Sequence, residues 1–454
     1  MSEGFSELKW NKINSISRSF CAAKWLQVTV DLVTGTTHSC HHPQRHLVPI
    51  EELEKDVSAL HNTNFKKQQR KLMLDGVRPK ECSYCWDVED IGEKYSDRYI
   101  KSTDSWAWDQ LDSIAQTPWD QNIQPKYLEV MLDNLCNFSC SYCMATVSTG
   151  VAAELKKFGQ YSFFESKHRA GHFSRTPEER KIFADAFDKW LNQICSNLKV
   201  LRITGGEPLI TPLFWKMLDT IEALGNENLQ FIVNTHLNHT EPKMLQFTKK
   251  IDDLLQKKKI NSVEIYTSLD TYGDQAEYIR HGLDYQLVLK NISNLYAWNP
   301  NVRVVVMCTF NILSAAKFDL FLQDIIELKQ KYSSLVVDIS GLKAPEYLRA
   351  DIHTPNILKF IENSVNFMKK NSEYFSEHEI NKLKRTYEWC SNSKRLDKLN
   401  IYRADFYKFI NEYDKRKGKT FLNIFPEYKD FYIECKKAVF ENFFNQKSIG
   451  IDTK

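Results

Sequence analysis

Between residues 127 and 340 the chain alternates short apolar runs with amphipathic stretches of helical length, and this alternation limits the fold more than any other feature. "YLEVMLD" (127–133), "LKVLRIT" (198–204), "LQFIVN" (229–234), "SVEIYTSLD" (262–270), "VRVVVMCTF" (302–310) and "LVVDIS" (335–340) read as strands rich in Val, Ile, Phe and Tyr. The clearest intervening helix is "TPEERKIFADAFDKWLNQI". Thr176 is placed to cap it, Pro177 to open it and Glu179 to close a capping box. Ile182, Phe183, Phe187, Trp190 and Leu191 then recur at helical spacing. Strands separated by helices imply parallel strands covered by helices. Six such units suffice to close partway into a barrel, with the active site at the C-terminal strand ends.

The flanks differ from this centre. Residues 1–118 read as irregular, with scattered aromatics and four cysteines, though "VTVDLVTGTTHSC" has the alternation of a hairpin turning at Gly35. Beyond residue 345 the chain is rich in Lys, Asn and aromatics. "NILKFIENSVNFMKK" and "EHEINKLKRTYEWC" read there as amphipathic helices, and the charge as a solvated face. The expected division is residues 1–118, 119–345 and 346–454. At 454 residues the chain is long enough for several cores, and its net charge of +3 gives no argument for nucleic acid. No apolar run reaches membrane-spanning length and no secretory h-region opens the chain, so the cytoplasm is the expected location.

Eleven cysteines are many for a reducing compartment, and seven fall in two groups in the first third. Cys195, Cys308, Cys390 and Cys435 are dispersed and read as packing residues. In "LDNLCNFSCSYCMA" Cys136, Cys140 and Cys143 follow the first barrel strand. Three thiolates on a four-iron cluster leave one iron open to a small molecule. Spacing alone leaves a zinc site with a distant fourth ligand as the alternative. "ITGGEP" follows the next strand. Gly205 and Gly206 let backbone approach a ligand, and Glu207 can accept from an ammonium group. Their conjunction with the three cysteines favours the cluster.

Cys136-x3-Cys140-x2-Cys143, the aromatic Tyr142 and Gly205-Gly206-Glu207-Pro208 together resemble the radical S-adenosylmethionine superfamily over roughly residues 125–345. The resemblance implies a partial (β/α)6 TIM-like barrel and a 4Fe–4S cluster held by the three cysteines. S-adenosylmethionine would bind through its amino and carboxylate groups to the open iron. Tyr142 would then lie near the adenine, and Gly205, Gly206 and Glu207, with Pro208 closing the motif, would meet the amino group. Ser268 and Arg280 match places that contact ribose and carboxylate; for Arg280 a surface Arg–Glu pair is the plain alternative. Asn234 and Thr235 end the third strand and face the cavity on the same reading. The implied activity is reductive cleavage to a 5′-deoxyadenosyl radical that abstracts hydrogen from substrate, with an electron donor such as flavodoxin or ferredoxin.

The second group, Cys21, Cys40, Cys82 and Cys85, can enclose a fully ligated cluster or a zinc ion. It resembles the SPASM/twitch extension of the same superfamily, which carries an auxiliary 4Fe–4S cluster. Here it precedes the barrel instead of following it, and it lacks the further cysteines of a complete SPASM domain, so one auxiliary cluster is expected. His38, His41, His42 and His46 crowd Cys40, making a mixed Cys/His zinc site the rival and an exposed loop the plain alternative. Relatives with this extension frequently modify peptides or proteins, which makes a peptide the first expected substrate and a small metabolite, sugar or nucleotide the second. A non-catalytic iron–sulfur or zinc scaffold is the reading from another class. No general acid or base is assignable, since Tyr266, Asp270, Cys308 and Asp338 near the strand ends each have a packing or capping explanation.

Overall fold

The computed structural model describes residues 5–166, 173–392 and 398–449. They form a mixed α/β structure whose contacts separate into two compact units. The first comprises Met1–Asn134, Phe173–Asn234 and Lys249–Val263; the second comprises Leu135–His172, Thr235–Thr248 and Glu264–Lys454.

In the first unit lie β1 (Gln27–Asp31), β2 (Thr36–His38), β3 (His46–Leu47), β4 (Tyr127–Met131), β5 (Val200–Thr204) and β6 (Gln230–Asn234). Their order is β3-β2-β1-β4-β5-β6. The expected hairpin is present: β1 and β2 run antiparallel, with Thr29 opposite His38. Gly35 makes the turn at φ +63°, a conformation that L side chains rarely adopt, and an added Cβ would lie 2.7 Å from the Phe183 ring. The hairpin then does something its sequence does not announce. β1 pairs parallel with β4, Gln27 beside Tyr127 through Asp31 beside Met131.

Strand alternation divides this sheet into two chemically different faces. Val28, Val30, Leu128, Val130, Leu201, Ile203, Phe231 and Val233 are all buried on one. Thr29, Glu129 and Arg202 come level on the other, since the register pairs Thr29 with Glu129 and Glu129 with Arg202. The expected helix spans Pro177–Ile194, with the Thr176–Glu179 capping box formed at 3.3 and 3.0 Å. It buries Phe183, Phe187, Trp190, Leu191 and Ile194, each contributing about 1.5–3 kcal/mol by removal from water. The stretch 1–118 is not irregular. It holds helices Glu7–Ile16, Asn64–Leu74, Ser83–Asp90, Asp97–Thr103 and Leu111–Gln116. Ser6, Thr63 and Ser96 cap three of these, and all are too short to display a clear period in sequence.

The second unit carries β7 (Ser262–Ser268) from Glu264 onward and the parallel strands β8 (Arg303–Phe310) and β9 (Val336–Gly341), with Glu264 beside Arg303 and Val305 beside Val336. Helices Gly273–Ile279, Tyr285–Trp298 and Phe318–Lys331 separate them. All six expected barrel strands therefore occur. The C-terminal part is helical as expected, in Pro355–Lys370, Glu377–Asn392, Leu399–Lys417 and Lys429–Ile449. Among the described residues no helix is long and apolar enough to cross a membrane.

Candidate metal and cofactor sites

The three-cysteine loop belongs to the second unit and is pinned along its length by backbone groups. Cys136 N–H donates to Thr149 Oγ1 at 3.0 Å, and Thr149 Oγ1 and Gly150 N both donate to the Cys136 carbonyl at 3.0 Å. Ser148, which caps helix Thr149–Phe158, donates to the Phe138 carbonyl at 2.7 Å. Helix and loop approach so closely that a Cβ on Gly150 would stand 2.3 Å from the Phe138 oxygen. On the other side Ser139 N and Ser141 N donate to the carbonyls of His281 and Ile279 at 3.0 and 2.7 Å. The Phe138 ring stacks on His236 at 4.0 Å. Cys140 is buried, while Cys136 and Cys143 are partly exposed.

Helix Leu399–Lys417 also reaches this loop. Tyr413 Oη donates to the Ser139 carbonyl at 3.4 Å and to the Tyr278 carbonyl at 3.1 Å. Lys417 donates to Ser139 Oγ and pairs with Glu154 at 2.6 Å. The C-terminal extension thus braces the segment between the first two cysteines, a role without any sequence signal.

Tyr142 and Arg280 come together through a residue that sequence reasoning had left to packing. Asp270 is fully buried and accepts from Tyr142 Oη at 2.9 Å, from Arg280 Nε and Nη2 at 2.9 and 3.0 Å, and from Thr309 N at 2.9 Å. Arg280 is itself buried and holds a two-pronged pair with Asp270, so the surface Arg–Glu alternative does not apply. Burial drives the Tyr142 phenol far above its ordinary pKa, with Arg280 opposing and Asp270 adding to the rise. Burial works most strongly against the Arg280 charge, but Asp270, Tyr142 and Cys140 together hold the guanidinium pKa well above its ordinary value. Ser268 ends β7, half-buried, two residues before Asp270. Cys308 donates to the Asp270 carbonyl at 3.5 Å, and Asp338 pairs with Lys382. These are the structural roles expected of them.

The Gly205–Pro208 turn belongs to the first unit. Gly205 has φ +124°, and a Cβ there would lie 2.6 Å from the Asp133 carbonyl oxygen. Gly206 N donates to that same oxygen at 3.1 Å. The turn is therefore fitted against the end of β4, three residues before Cys136 in the chain. Glu207 is buried, accepts from Leu209 N at 3.2 Å and caps the short turn that Pro208 opens. Sequence reasoning missed Glu129 and Arg202. Arg202 Nε lies 3.1 Å from Asn234 Oδ1 and 3.6 Å from Glu129 Oε2. The available signal was a charged residue inside each of two parallel strands, where continuous apolar sequence is the norm.

The four N-terminal cysteines converge. Cys21, Cys40, Cys82 and Cys85 line one cavity together with His42, Trp86 and Arg98. Cys82 ends a short turn and Cys85 lies three residues on in helix Ser83–Asp90, which puts both sulfurs on one helical face. The hairpin supplies the other two: Cys21 precedes β1 and Cys40 follows β2, and an antiparallel pair brings those ends together. Burial raises the Cys40 thiol to about 12 and the Cys82 thiol to about 11, and it raises Cys21 and Cys85 as well. Cys40, Cys82 and Cys85 are buried and Cys21 half-buried, and thiols so placed ionise readily only beside a cation such as a metal ion.

The neighbouring histidines are engaged elsewhere. His38 meets the Cys40 carbonyl, His46 Nε2 lies 2.9 Å from Thr63 Oγ1, and His41 Nδ1 lies 3.9 Å from Glu129. Of the four, His42 alone lines the cavity, stacked on Tyr84 at 3.7 Å and paired with Asp97.

No family model and no curated protein matches the chain. Among solved structures, native anSMEcpe with bound AdoMet matches with TM-score 0.36 and 15% identity, over 54% of this chain and 61% of that one. Streptococcus suis SuiB bound to the precursor peptide SuiA matches with TM-score 0.34 and 12% identity, over 78% of this chain and 70% of that one. The chain thus spans about three fifths of the length of anSMEcpe.

Proposed function

We propose that this chain is a radical S-adenosylmethionine enzyme with a second, fully protein-ligated iron–sulfur centre in its N-terminal part. One observation carries the reading: three cysteines at Cys136-x3-Cys140-x2-Cys143 spacing occupy a single loop directly after β4, and its backbone is fixed by Ser148, Thr149 and Gly150. A rigid loop that offers three thiolates suits a four-iron cluster whose remaining iron is open. When bound, that cluster with S-adenosylmethionine supplies one-electron cleavage of the sulfonium and hydrogen abstraction from an unactivated C–H bond.

The chain's own residues do the positioning. Cys136, Cys140 and Cys143 would hold three irons; in the first unit Gly205 and Gly206 allow a close backbone approach and Glu207 supplies a buried carboxylate suited to an ammonium group. Asp270 keeps the Tyr142 ring and the Arg280 guanidinium in fixed orientation beside the loop, with Ser268 two residues away. Cys21, Cys40, Cys82 and Cys85 hold the second centre. The proposed substrate is a peptide or protein, and the proposed electron donor is flavodoxin or ferredoxin.

Anaerobic reconstitution tests the reading. The protein is expected to bind about eight irons, four per cluster, and to release 5′-deoxyadenosine when reduced in the presence of S-adenosylmethionine. Failure to cleave the sulfonium with a full complement of iron would overturn it.

A further inference from the structure

A row of polar side chains crosses the sheet of the first unit, in parallel strands where apolar residues are the norm. The register sets Thr29 of β1 beside Glu129 of β4, and Glu129 beside Arg202 of β5. All three lie on the face opposite the one that buries Val28, Val130 and Ile203. Glu129 is buried, and two basic side chains flank its carboxylate at more than hydrogen-bond distance. Arg202 Nε stands 3.6 Å from one oxygen and His41 Nδ1 3.9 Å from the other. Arg202 Nε is turned instead to Asn234 Oδ1, at 3.1 Å.

Two further side chains on this face are buried and unpaired. Thr29 is 6% exposed, and its Oγ1 has no hydrogen-bond partner among the described residues. Gln27, two residues earlier in β1, is fully buried, and neither end of its side-chain amide has one. Native folds pair nearly all their buried polar groups, so two left unpaired on one face point to a ligand. The charges already cancel: Glu129 is offset by Arg202, and the buried Asp31 of the same face by Arg45 at 3.1 Å. An ionic ligand would gain no net counter-charge here. A neutral group that both donates and accepts fits better, its N–H to the Glu129 carboxylate and its carbonyl oxygen to the Thr29 hydroxyl. That description is an amide.

We propose that Gln27, Thr29 and Glu129 form a recognition site for an amide group of a peptide substrate, with Arg202 positioning Glu129. Such a site deepens the peptide reading above and rests on it.

The test uses the full chain, reconstituted with iron and sulfide. A displayed library of random linear peptides is selected on it, and the most enriched peptide is synthesised with a fluorescent label. Its affinity is measured by anisotropy for wild type, Thr29→Val, Thr29→Ser and Glu129→Met. Thr29→Val is expected to weaken binding about tenfold, the worth of one hydrogen bond, and Thr29→Ser to retain it. Thr29→Val is also expected to melt no lower than wild type, because the hydroxyl it removes is unpaired in the fold. Methylating the peptide's amide nitrogens one at a time should reveal one position that costs wild type about tenfold and Glu129→Met nothing. If Glu129→Met does not fold, the Thr29 series decides. Equal affinity in wild type and Thr29→Val, no enriched peptide, or a lower melting temperature in Thr29→Val with binding intact would overturn the assignment. Wild-type protein that binds peptide through Thr29 yet never cleaves S-adenosylmethionine would defeat the enzymatic reading and leave this site standing.

Discussion

The two cysteine groups are built by opposite strategies. Cys136, Cys140 and Cys143 lie on one short loop whose own hydrogen bonds to Ser148, Thr149 and Gly150 hold it in shape. Cys21, Cys40, Cys82 and Cys85 are gathered by a hairpin and a helix into one cavity, and the fold has to form before they meet. Their surroundings differ too. Two of the three loop cysteines are partly exposed, and the loop's own Tyr142 is tied to a buried Asp–Arg pair. In the four-cysteine cavity Cys40, Cys82 and Cys85 are buried, and the buried Arg98 lines it with them. The first arrangement suits a centre that leaves a coordination position for a small molecule, and the second suits a centre whose positions the protein fills.

The sharpest way to break this comparison is to remove one ligand from each group. Cys140→Ser is expected to abolish cleavage of S-adenosylmethionine and to lose about four of about eight irons, leaving the N-terminal centre intact. Cys85→Ser is expected to lose a similar share of iron and still release 5′-deoxyadenosine. Iron content and product release measured on both variants decide this, and equal loss of cleavage in the two would erase the distinction between the sites.

Asp270→Asn comes next in size. It leaves the Arg280 guanidinium buried beside a neutral amide, so the variant is expected to lose about 3–5 kcal/mol of stability in denaturant unfolding. The first site's affinity for S-adenosylmethionine should fall with it, and iron loading of the N-terminal centre should not change. Gly150→Ala is smaller. Its Cβ meets backbone, which cannot step aside as a side chain does, and a loss of about 1–3 kcal/mol is expected. Iron content of the three-cysteine site is the discriminating readout, because the four-cysteine cavity lies outside the disturbed loop.

The smallest effect concerns pH. Burial lowers His46 to about 3 in the folded chain, from an ordinary value near 6.5. Below pH 6.5 the unfolded chain takes up a proton that the folded chain refuses, so this contribution to stability is lost as pH falls from 6.5 toward 3. Its slope is at most about 1.4 kcal/mol per pH unit. His46→Gln is expected to flatten the acid limb of the stability curve of the metal-free protein by that amount. An unchanged limb would show that His46 is not kept neutral by the fold.

Much of the architecture was legible where the signal is local. The strands from Tyr127 to Gly341 and the Thr176–Glu179 capping box follow from apolar runs and cap chemistry within a few residues of chain. The turn at Gly35 follows from its surrounding alternation. The parallel pairing of β1 with β4 was not legible, because nothing in Gln27–Asp31 names a partner a hundred residues away. The same limit applies to Asp270. Its neighbours in sequence suggest only a strand end, whereas Tyr142, Arg280 and Thr309 reach it from three separate segments. Glu129 and Arg202 sat in plain view as charges within apolar strands, and their register shows them side by side. The convergence of four distant cysteines was expected from their number and type, yet the buried Arg98 beside them was not, since its burial is a tertiary property.

The central claim is that the three-cysteine site is open to a small molecule and the four-cysteine site is closed. Electron paramagnetic resonance of the reduced, reconstituted protein, recorded with and without S-adenosylmethionine, tests it most directly. The account predicts that the ligand changes the signal of one centre only, and that the change survives in Cys85→Ser and vanishes in Cys140→Ser. A change that persists in Cys140→Ser and is lost in Cys85→Ser would contradict it.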